Sequence, residues 1–463
     1  MMRVLSLMTG LLCCGLIWQA DVRAASEQQP VTIQDSINAT LKHHRGLKTI
    51  QENREVVVHE LRRAEAGWGP RLDFAGRAGS SRLSDTTTRA ANADSDMHRA
   101  SNLGLTLVQP LWDGYATRSR VRAAESTVDS VTDRVFDNAT TLALDAIIAH
   151  IDLLRRREIF TLATKNVDRH REILESSKDR EAMGADTMAD VSQTRGRLSR
   201  ALSTLAEARA SLREGEDSYR RITGTPVPAQ LDPIVLPDPL YDGPETIFAI
   251  AKKSNPKVNA YLNDVRAAVG NKELAESAYQ PTINLEAGPN YSDRGGPGNQ
   301  WTSSFDVMGT VRWNLFNSGA DAAETKAALA RVRQSRQFLY DFIDSLKLEV
   351  EDTWTGYISA TEQYGHYTDA IGFNTQTRDS YLEQFMIGQR SLLDVLDAES
   401  ELFNSSTQAA TARGNILVGG YRMYALAGVL LQELHIDTKN LNTAPGDDQK
   451  SQRGWKEMKN LDE

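Results

Sequence analysis

The chain has 463 residues, of which 40% are hydrophobic, 7% aromatic and 25% charged, and its formal net charge is −9 at pH 7. This length allows about two to four ordinary domains, and the composition excludes a disordered or collagen-like chain. The acidic balance argues against a nucleic-acid partner, because neutralising phosphates requires a basic surface.

The first 25 residues have the pattern of a secretory signal peptide. Arg3 supplies the positive start, residues 4–17 form an apolar core, and residues 22–25 offer a candidate cleavage site with small residues. The alternative is an uncleaved membrane anchor, but the apolar stretch is shorter than the ~20 residues that a spanning helix needs. The sequence therefore predicts export and removal of residues 1–25.

Both cysteines, Cys13 and Cys14, lie inside this predicted signal, so we expect a mature chain without cysteine. A lipid-anchored cysteine is not favoured, because Leu11 and Leu12 precede Cys13 where small residues are expected. After residue 25 the sequence contains no apolar stretch of ~18 residues, the length that would predict a spanning helix. If the mature chain enters a membrane, it must therefore do so as a β-barrel.

The mature region contains the same pattern twice. A shift of 211 residues aligns residues 44–74 with residues 255–285 without a gap. Loops of different length then change the shift to about 204, which aligns residues 111–191 with residues 315–395. Chance similarity between two helical halves is the alternative, but the matches keep their order along the chain. We therefore predict a duplicated structural unit.

The first copy covers residues 30–224. Its predicted elements, in chain order, are a helix at about 32–66, strands at about 71–82 and 102–110, a long helix at about 116–183, a break at 184–187 and a returning helix to about 222. A proline-rich linker is predicted at residues 225–244.

The second copy covers residues 245–436 and follows the same plan. Its predicted elements are a helix at about 245–278, strands at about 282–291 and 303–314, a long helix at about 320–385, a break at 388–390 and a returning helix at about 391–434. Residues 437–463 are polar and predicted to be a disordered tail.

The length of the two long helices limits the possible architectures. A helix of about 68 residues is ~100 Å long, which no compact globular domain holds. Two shorter helices placed end to end reach the same length. One long helix can therefore lie antiparallel to two shorter helices in series, and the repeat predicts a long column of helical hairpins.

The strand segments alternate between apolar and polar residues. This period-two pattern is typical of a half-buried antiparallel sheet, or of a membrane barrel with an apolar face toward lipid and a polar face toward a wet lumen. Four strands cannot close a barrel, and open sheet edges do not occur in hydrocarbon. If the sheet lies in a membrane, two or three chains must share one barrel, and three chains would give twelve strands and a wider lumen.

Four local motifs resemble the TolC family of outer-membrane efflux and type I secretion channels. They are Asn255-Pro256, Tyr279-Gln280-Pro281, Leu315-Phe316-Asn317-Ser318-Gly319, and the run Gly388-Gln389-Arg390-Ser391-Leu392-Leu393-Asp394-Val395-Leu396-Asp397-Ala398-Glu399. The resemblance covers about residues 30–435. It implies a mainly α fold with a membrane β-barrel, in which a homotrimer builds a twelve-stranded barrel continued by an α-helical tunnel across the periplasm.

The resemblance also implies a gate at the periplasmic end of the tunnel. Asp394 and Asp397 would project into the tunnel mouth, and Arg390 would bridge to Asp190 and hold the helices shut. Phe385 stands where the family can carry a tyrosine, so the hydrogen bond of that hydroxyl is absent or replaced. The alternatives are ordinary ones: acids that stabilise a helix start, and an exposed ion pair worth ~0–1 kcal/mol.

The sequence contains no enzyme signature, metal site or cofactor-binding loop, so we expect a non-enzymatic protein without a cofactor. The resemblance implies a periplasmic adaptor (membrane fusion protein), an inner-membrane ABC exporter or pump, and outer-membrane lipid as partners. The run at residues 388–397 favours type I secretion of proteins. Small-molecule or drug efflux remains an alternative, and a poreless periplasmic coiled-coil adaptor is a further one.

Overall fold

A computed structural model describes residues 30–92, 95–236, 242–295 and 300–442 of the chain. The predicted signal peptide at residues 1–25 and most of the predicted tail, from residue 443 onward, lie outside these described residues. Within them, no helix combines the length and the apolar character that crossing a membrane requires.

The two copies contain matching sets of helices, apart from one short helix in each copy. The first copy has α1 (Ile33–His43), α2 (Arg45–Glu65), a short α3 (Thr86–Ala90), α4 (Ala116–Ala182) and α5 (Met188–Thr223). The second copy has α6 (Pro244–Ser254), α7 (Pro256–Glu276), α8 (Ala320–Met386), α9 (Leu392–Ala427) and a short α10 (Leu430–Glu433). The long helices α4 and α8 both have 67 residues, and the returning helices α5 and α9 both have 36.

The long helices begin and end where the sequence predicts. Gly184 and Gly388 follow the ends of α4 and α8 with φ of +77° at both positions, a left-handed conformation that glycine adopts without steric cost. Thr187 then caps α5, and Ser391 caps α9, by accepting a hydrogen bond from the backbone N–H three residues later.

The predicted helix at residues 32–66 is wrong in one respect, because His44 divides it into α1 and α2. The corresponding helix of the second copy is divided at Asn255. The backbone of both residues is extended, with ψ close to 120°. At Asn255 the cause is the following Pro256, whose ring disfavours the helical conformation in the residue before it.

The predictions for the C-terminal end of the second copy also need correction. Helix α9 ends at Ala427 instead of continuing to residue 434, because Gly428 adopts a φ of +79°. The predicted start of the tail at residue 437 is too early. Leu441 is buried in the main core, and its carbonyl accepts a hydrogen bond of 3.2 Å from the side-chain amide of Gln51.

The four strands form one antiparallel sheet with the order β1-β2-β3-β4. The strands are β1 (Arg71–Ser81), β2 (His98–Trp112), β3 (Thr282–Arg294) and β4 (Gln300–Arg312). The register places the apolar residues of neighbouring strands opposite one another, as in the pairs Phe74–Leu105 and Ala287–Val307. The predicted alternation is confirmed, although β2 begins earlier than residue 102 and β4 ends before residue 314.

The apolar face of this sheet is uncovered within one chain. Phe74 is 70% exposed, and Phe305 and Val311 are both 69% exposed. Strands β1 and β4 are the two edges, and each pairs with a neighbour on one side only. A single chain therefore leaves both an apolar sheet face and two unpaired strand edges open.

The helices pack around the middle of α4, which contacts α2, α5, α7 and α9. Small side chains such as Ala139, Ala143 and Ala146 are fully buried there and let neighbouring helices approach closely. The predicted linker packs against the same region, since Leu231 is buried in a cluster with Ala149 and Leu153 of α4. The column of hairpins therefore has its main core about midway along the long helices.

Candidate functional site

The two inter-helix turns at residues 183–187 and 387–391 lie at the same end of the column. They follow the C-terminal ends of α4 and α8, the ends opposite the strands. Beneath them lies a buried group that we call the tip cluster: Ile173, Phe385, Leu392, Val395 and Leu396. The tip cluster joins α4 of the first copy to α8 and α9 of the second, so the predicted gate residues lie on a packed base.

Asp394 lies in the first turn of α9. One of its carboxylate oxygens is 3.3 Å from Nε of Arg390 and accepts a 2.8 Å hydrogen bond from the hydroxyl of Ser391. The guanidinium of Arg390 lies over the ring of Tyr381, 3.9 Å from its centroid. Arg390 is therefore held within the second copy by a carboxylate and an aromatic face.

Asp397 lies one turn further along α9 and is 2.8 Å from the guanidinium of Arg197 in α5. This ion pair connects the returning helices of the two copies. Asp394 and Asp397 are three positions apart on one helix, so they share a face, and both carboxylates are accessible to solvent. Each acid has an arginine partner, and the sequence predicted neither of these two pairs.

Asp190 belongs to the cap of α5. It accepts hydrogen bonds from the backbone N–H and the hydroxyl of Thr187, at 3.0 and 2.6 Å. The hydrogen bond from the hydroxyl contributes most to lowering the pKa of Asp190, and the bond from the backbone N–H lowers it further. The carboxylate therefore stays ionised at neutral pH. The predicted Arg390–Asp190 bridge does not occur within the described part of a single chain, where Arg390 pairs with Asp394. A bridge between two chains stays a prediction.

Phe385 is buried in the tip cluster, with 2% of its surface exposed. The guanidinium of Arg180, in the last turn of α4, lies over its ring at 4.5 Å from the centroid. Arg180 was not among the residues predicted for the gate. Its sequence signal was weak: a basic residue in the last turn of a helix is ordinarily explained by the helix dipole.

A second group of charges that the sequence did not predict lies between α4, α8 and α9. Glu399 is 95% buried and stands 3.2 Å from Nη1 of Arg378 and 3.6 Å from Nε of Arg169. These side chains line a groove of about 470 Å³. A buried carboxylate between two guanidinium groups fixes the three helices relative to one another.

Metal binding finds no support in the described residues, which contain no group of three or more His, Cys, Asp or Glu side chains able to hold an ion. The helical tips carry carboxylates, guanidinium groups and aromatic rings in contact with one another. Such an arrangement can select ions by charge and can fasten helices together, because ion pairs and cation–ring contacts form and break without covalent change.

Comparison with known proteins gives consistent results. The profile of the family described as "Outer membrane efflux protein" matches residues 36–225 and 249–429. The outer membrane efflux protein BepC of Brucella suis biovar 1 is 27% identical over 346 residues, which cover 74% of this chain and 75% of BepC. The alkaline protease secretion protein AprF of Pseudomonas aeruginosa is 24% identical over 370 residues, covering 78% and 77% of the two chains.

The fold is also found in solved structures. The outer membrane protein VceC from Vibrio cholerae aligns with a TM-score of 0.73 at 17% sequence identity, over 87% of this chain and 95% of VceC. The two segments matched by the family profile correspond to the two copies of the repeat, with the linker between them.

Proposed function

The chain belongs to the outer membrane efflux protein family, and from that premise we propose that three copies assemble into one exit duct that crosses the outer membrane and the periplasm. Membership confirms the resemblance to the TolC family, and the chain is thus an outer-membrane efflux channel of that type. The number of chains, the gate residues and the cargo belong to the proposal.

The observation that carries the proposal is the open sheet. Strands β1 and β4 have free edges, and the apolar face that includes Phe74 and Phe305 is exposed. Unpaired backbone groups are too costly to leave in hydrocarbon, so β4 of one chain must pair with β1 of the next until the sheet closes. Three chains give twelve strands and a lumen, with the polar face inward.

The helical part supplies the length of the duct. Helices α4 and α8 have 67 residues each, which corresponds to ~100 Å. The strands adjoin the N-terminal ends of both helices, and the tips lie at the far ends. In the trimer, three copies of the Asp394 and Asp397 pair would surround the tunnel mouth, where they favour cations over anions.

Two classes of cargo remain, and we propose protein secretion as the first. The relative AprF is named for the secretion of an alkaline protease, and the run at residues 388–397 resembles secretion members of the family. An inner-membrane ABC exporter would then supply the energy, and a periplasmic adaptor would connect the exporter to the duct. Small-molecule efflux is the second candidate, favoured by the similarity to BepC, which is named an efflux protein.

Cysteine cross-linking tests the shared barrel, and the predicted absence of cysteine from the mature chain makes the background clean. A cysteine at Arg77 on the polar face of β1 is combined, one at a time, with cysteines along the polar face of β4. These positions are Ser304, Asp306, Met308 and Thr310. We expect oxidation of at least one pair in membranes to give a product of three linked chains.

The matched control joins two neighbours inside one chain, Asp73 of β1 and Thr106 of β2, which are direct partners in the sheet. Oxidation of that pair should leave a band of monomer size. If no β1–β4 pair links chains while the control pair closes, the shared barrel is wrong. For the cargo, deleting the gene should abolish export of a large protein under the first candidate, or raise sensitivity to toxic small molecules under the second.

A further inference from the structure

Arg180 makes three different contacts, two of which connect the helical tips of the two copies. Its Nη1 donates a hydrogen bond of 3.1 Å to the backbone carbonyl of Phe385, and its guanidinium lies over the ring of the same residue. Its Nε pairs with a carboxylate oxygen of Asp186 at 3.1 Å. One side chain thus binds its own turn on one side and the end of α8 on the other.

These contacts are largely removed from water. The side chains of Arg180 and Asp186 are 18% and 9% exposed. The second carboxylate oxygen of Asp186 is buried, and it has no hydrogen-bond partner among the described residues. Asp186 therefore depends on Arg180 for charge compensation, and loss of the guanidinium would leave a buried carboxylate uncompensated.

The carbonyl that Arg180 binds has a particular position. The carbonyl of Phe385 also accepts a 3.0 Å hydrogen bond from the N–H of Gly388, which closes the turn after α8. That turn leads directly to Arg390 and Asp394. Because Arg180 binds this carbonyl, it fixes the position of the turn from which the segment with the predicted gate residues starts.

We propose that Arg180 is a positioning residue that clamps the tip of α8 to the tip of α4 and so keeps the tunnel mouth closed at rest. The inference rests on the proposed function. Phe385 lacks the hydroxyl of the tyrosine that the family can carry at this position. The face of its ring instead attracts the guanidinium of Arg180. Opening of the mouth then requires Arg180 to leave the ring and the carbonyl.

The geometry requires arginine specifically. Nε and Nη1 donate in two fixed directions while the plane of the guanidinium covers the ring, and a lysine ammonium cannot make all three contacts. A lysine at this position keeps the charge next to Asp186 but loses the planar group over Phe385. The conservative variant should therefore behave like a loss of the clamp.

The test uses full-length protein reconstituted in planar bilayers, with the lifetime of the closed state as the readout. We expect Arg180→Met to shorten the closed state by about tenfold, as losing a charge-assisted hydrogen bond and a cation–ring contact implies. Phe385→Leu should act in the same direction, and the double variant should add little to the larger single effect. Arg180→Lys should not restore the wild-type lifetime.

The matched control is Arg171→Met, which removes the same charge from the same helix. Arg171 is more exposed, and its ion pair in the described part of the chain is with Asp168, three residues away on α4. An unchanged closed state in Arg180→Met, or an equal change in Arg171→Met, would overturn the clamp. If Arg180→Met does not assemble, Phe385→Leu decides alone, because it removes the ring under the guanidinium and leaves Arg180 in place, and an unchanged lifetime there overturns the proposal.

The same recordings separate the clamp from the proposed function. A wild-type protein that inserts but opens no channel contradicts the duct, and the clamp with it. A wild-type protein that conducts normally, together with an Arg180→Met variant that gates normally, contradicts the clamp alone. Thermal unfolding of each variant identifies a general loss of stability, which would not by itself prolong or shorten the closed state.

Discussion

His44 and Asn255 are 211 positions apart and adopt the same backbone conformation, with φ of −68° at both and ψ of 120° and 121°. Each ends one helix, starts the next, and accepts a hydrogen bond on its side chain from the N–H two residues later. The two copies of the repeat therefore agree even in the position of a helix break, although the residue types at the break differ.

Asn255 should contribute more stability than His44. Its side-chain oxygen accepts bonds from the N–H groups of Lys257 and Val258, and its amide donates a 2.9 Å bond to the carbonyl of Leu426. His44 accepts one bond of 3.2 Å. We expect Asn255→Ala to cost about 1–2 kcal/mol, the upper part of the range for helix caps.

His44→Ala, the matched variant, should cost about 0.5 kcal/mol, the lower end of that range. The measurement is thermal unfolding of the purified protein, followed by its helical circular dichroism. Equal midpoints for the two variants would contradict the assignment of the extra contacts at Asn255.

The long helices could be predicted from the sequence because their signals are local. Residues 116–182 contain no proline or glycine, and a glycine with positive φ follows each end. The strands were equally accessible through their period-two alternation, and the duplication through the constant shift. These features depend on neighbours along the chain, so no knowledge of the assembled column was needed.

The contacts at the tips could not be predicted in this way. The pairs Arg180–Phe385 and Arg197–Asp397 join residues about 200 positions apart, and they depend on how the helices are rotated about their axes. Charged residues are frequent along these helices, so the sequence does not select among partners. The break at His44 had no proline to indicate it, and its position became visible only in the structure.

The sheet contains a close approach that only glycine tolerates. A β-carbon at Gly288 in β3 would lie 1.9 Å from the carbonyl oxygen of Leu105 in β2, and backbone atoms cannot move away as a side chain can. We expect Gly288→Ala to separate β2 from β3 and to destabilise the sheet by about 3 kcal/mol, the upper end of typical overpacking costs.

Gly309 in β4 is the matched control, because a β-carbon there meets nothing within 4 Å. Gly309→Ala should leave assembly unchanged. The readout is the fraction of protein recovered from membranes as the proposed trimer, provided that it resists mild detergent. A normal trimer fraction in Gly288→Ala would show that the two strands are further apart than the structure places them.

His150 is a buried titratable group about halfway along α4. Its Nε2 lies 3.2 Å from the carbonyl oxygen of Asp232, which can only accept, so Nε2 carries the proton. Nδ1 then accepts from the hydroxyl of Ser36, 3.0 Å away, and that hydroxyl accepts from Tyr219 at 2.9 Å. Burial, partly offset by the Asp232 carbonyl, lowers the pKa of His150 from its ordinary value of 6.5.

This lowered pKa predicts a loss of stability in acid. Well above pH 6.5 the histidine is neutral in both the folded and the unfolded chain. As the pH falls, the unfolded chain binds the proton first, so the free energy of unfolding decreases until the pH passes below the pKa of the folded state. We expect the unfolding midpoint of the wild type to decrease over this interval.

The variant His150→Gln isolates the contribution of His150 to the pH dependence of stability, because the same carboxylates titrate in the variant and in the wild type. At pH 7.5 the variant should be less stable by about 1–3 kcal/mol, the cost of leaving a buried polar partner unsatisfied. The difference from wild type should narrow below pH 6.5. Parallel curves for the two proteins between pH 7.5 and 5 would rule out a lowered pKa at His150.

Replacing Asp394 and Asp397 tests whether their carboxylates line the proposed gate. In the proposed trimer, three copies of each surround the tunnel mouth, and each carboxylate is close to an arginine, Arg390 or Arg197. Replacing both acids removes the negative charge and leaves the guanidinium groups uncompensated. We therefore expect Asp394→Asn combined with Asp397→Asn to lower the cation-to-anion permeability ratio by a factor of about two to ten, the direction that charged rings impose.

The ratio is measured as the reversal potential across a planar bilayer with a gradient of potassium chloride. Asp217→Asn is the matched control, since Asp217 is exposed on α5 and pairs with Arg220 three residues away. The control should retain the wild-type reversal potential. If the double variant retains it as well, these carboxylates do not line the conducting path, and the selectivity arises from polar residues elsewhere along the duct.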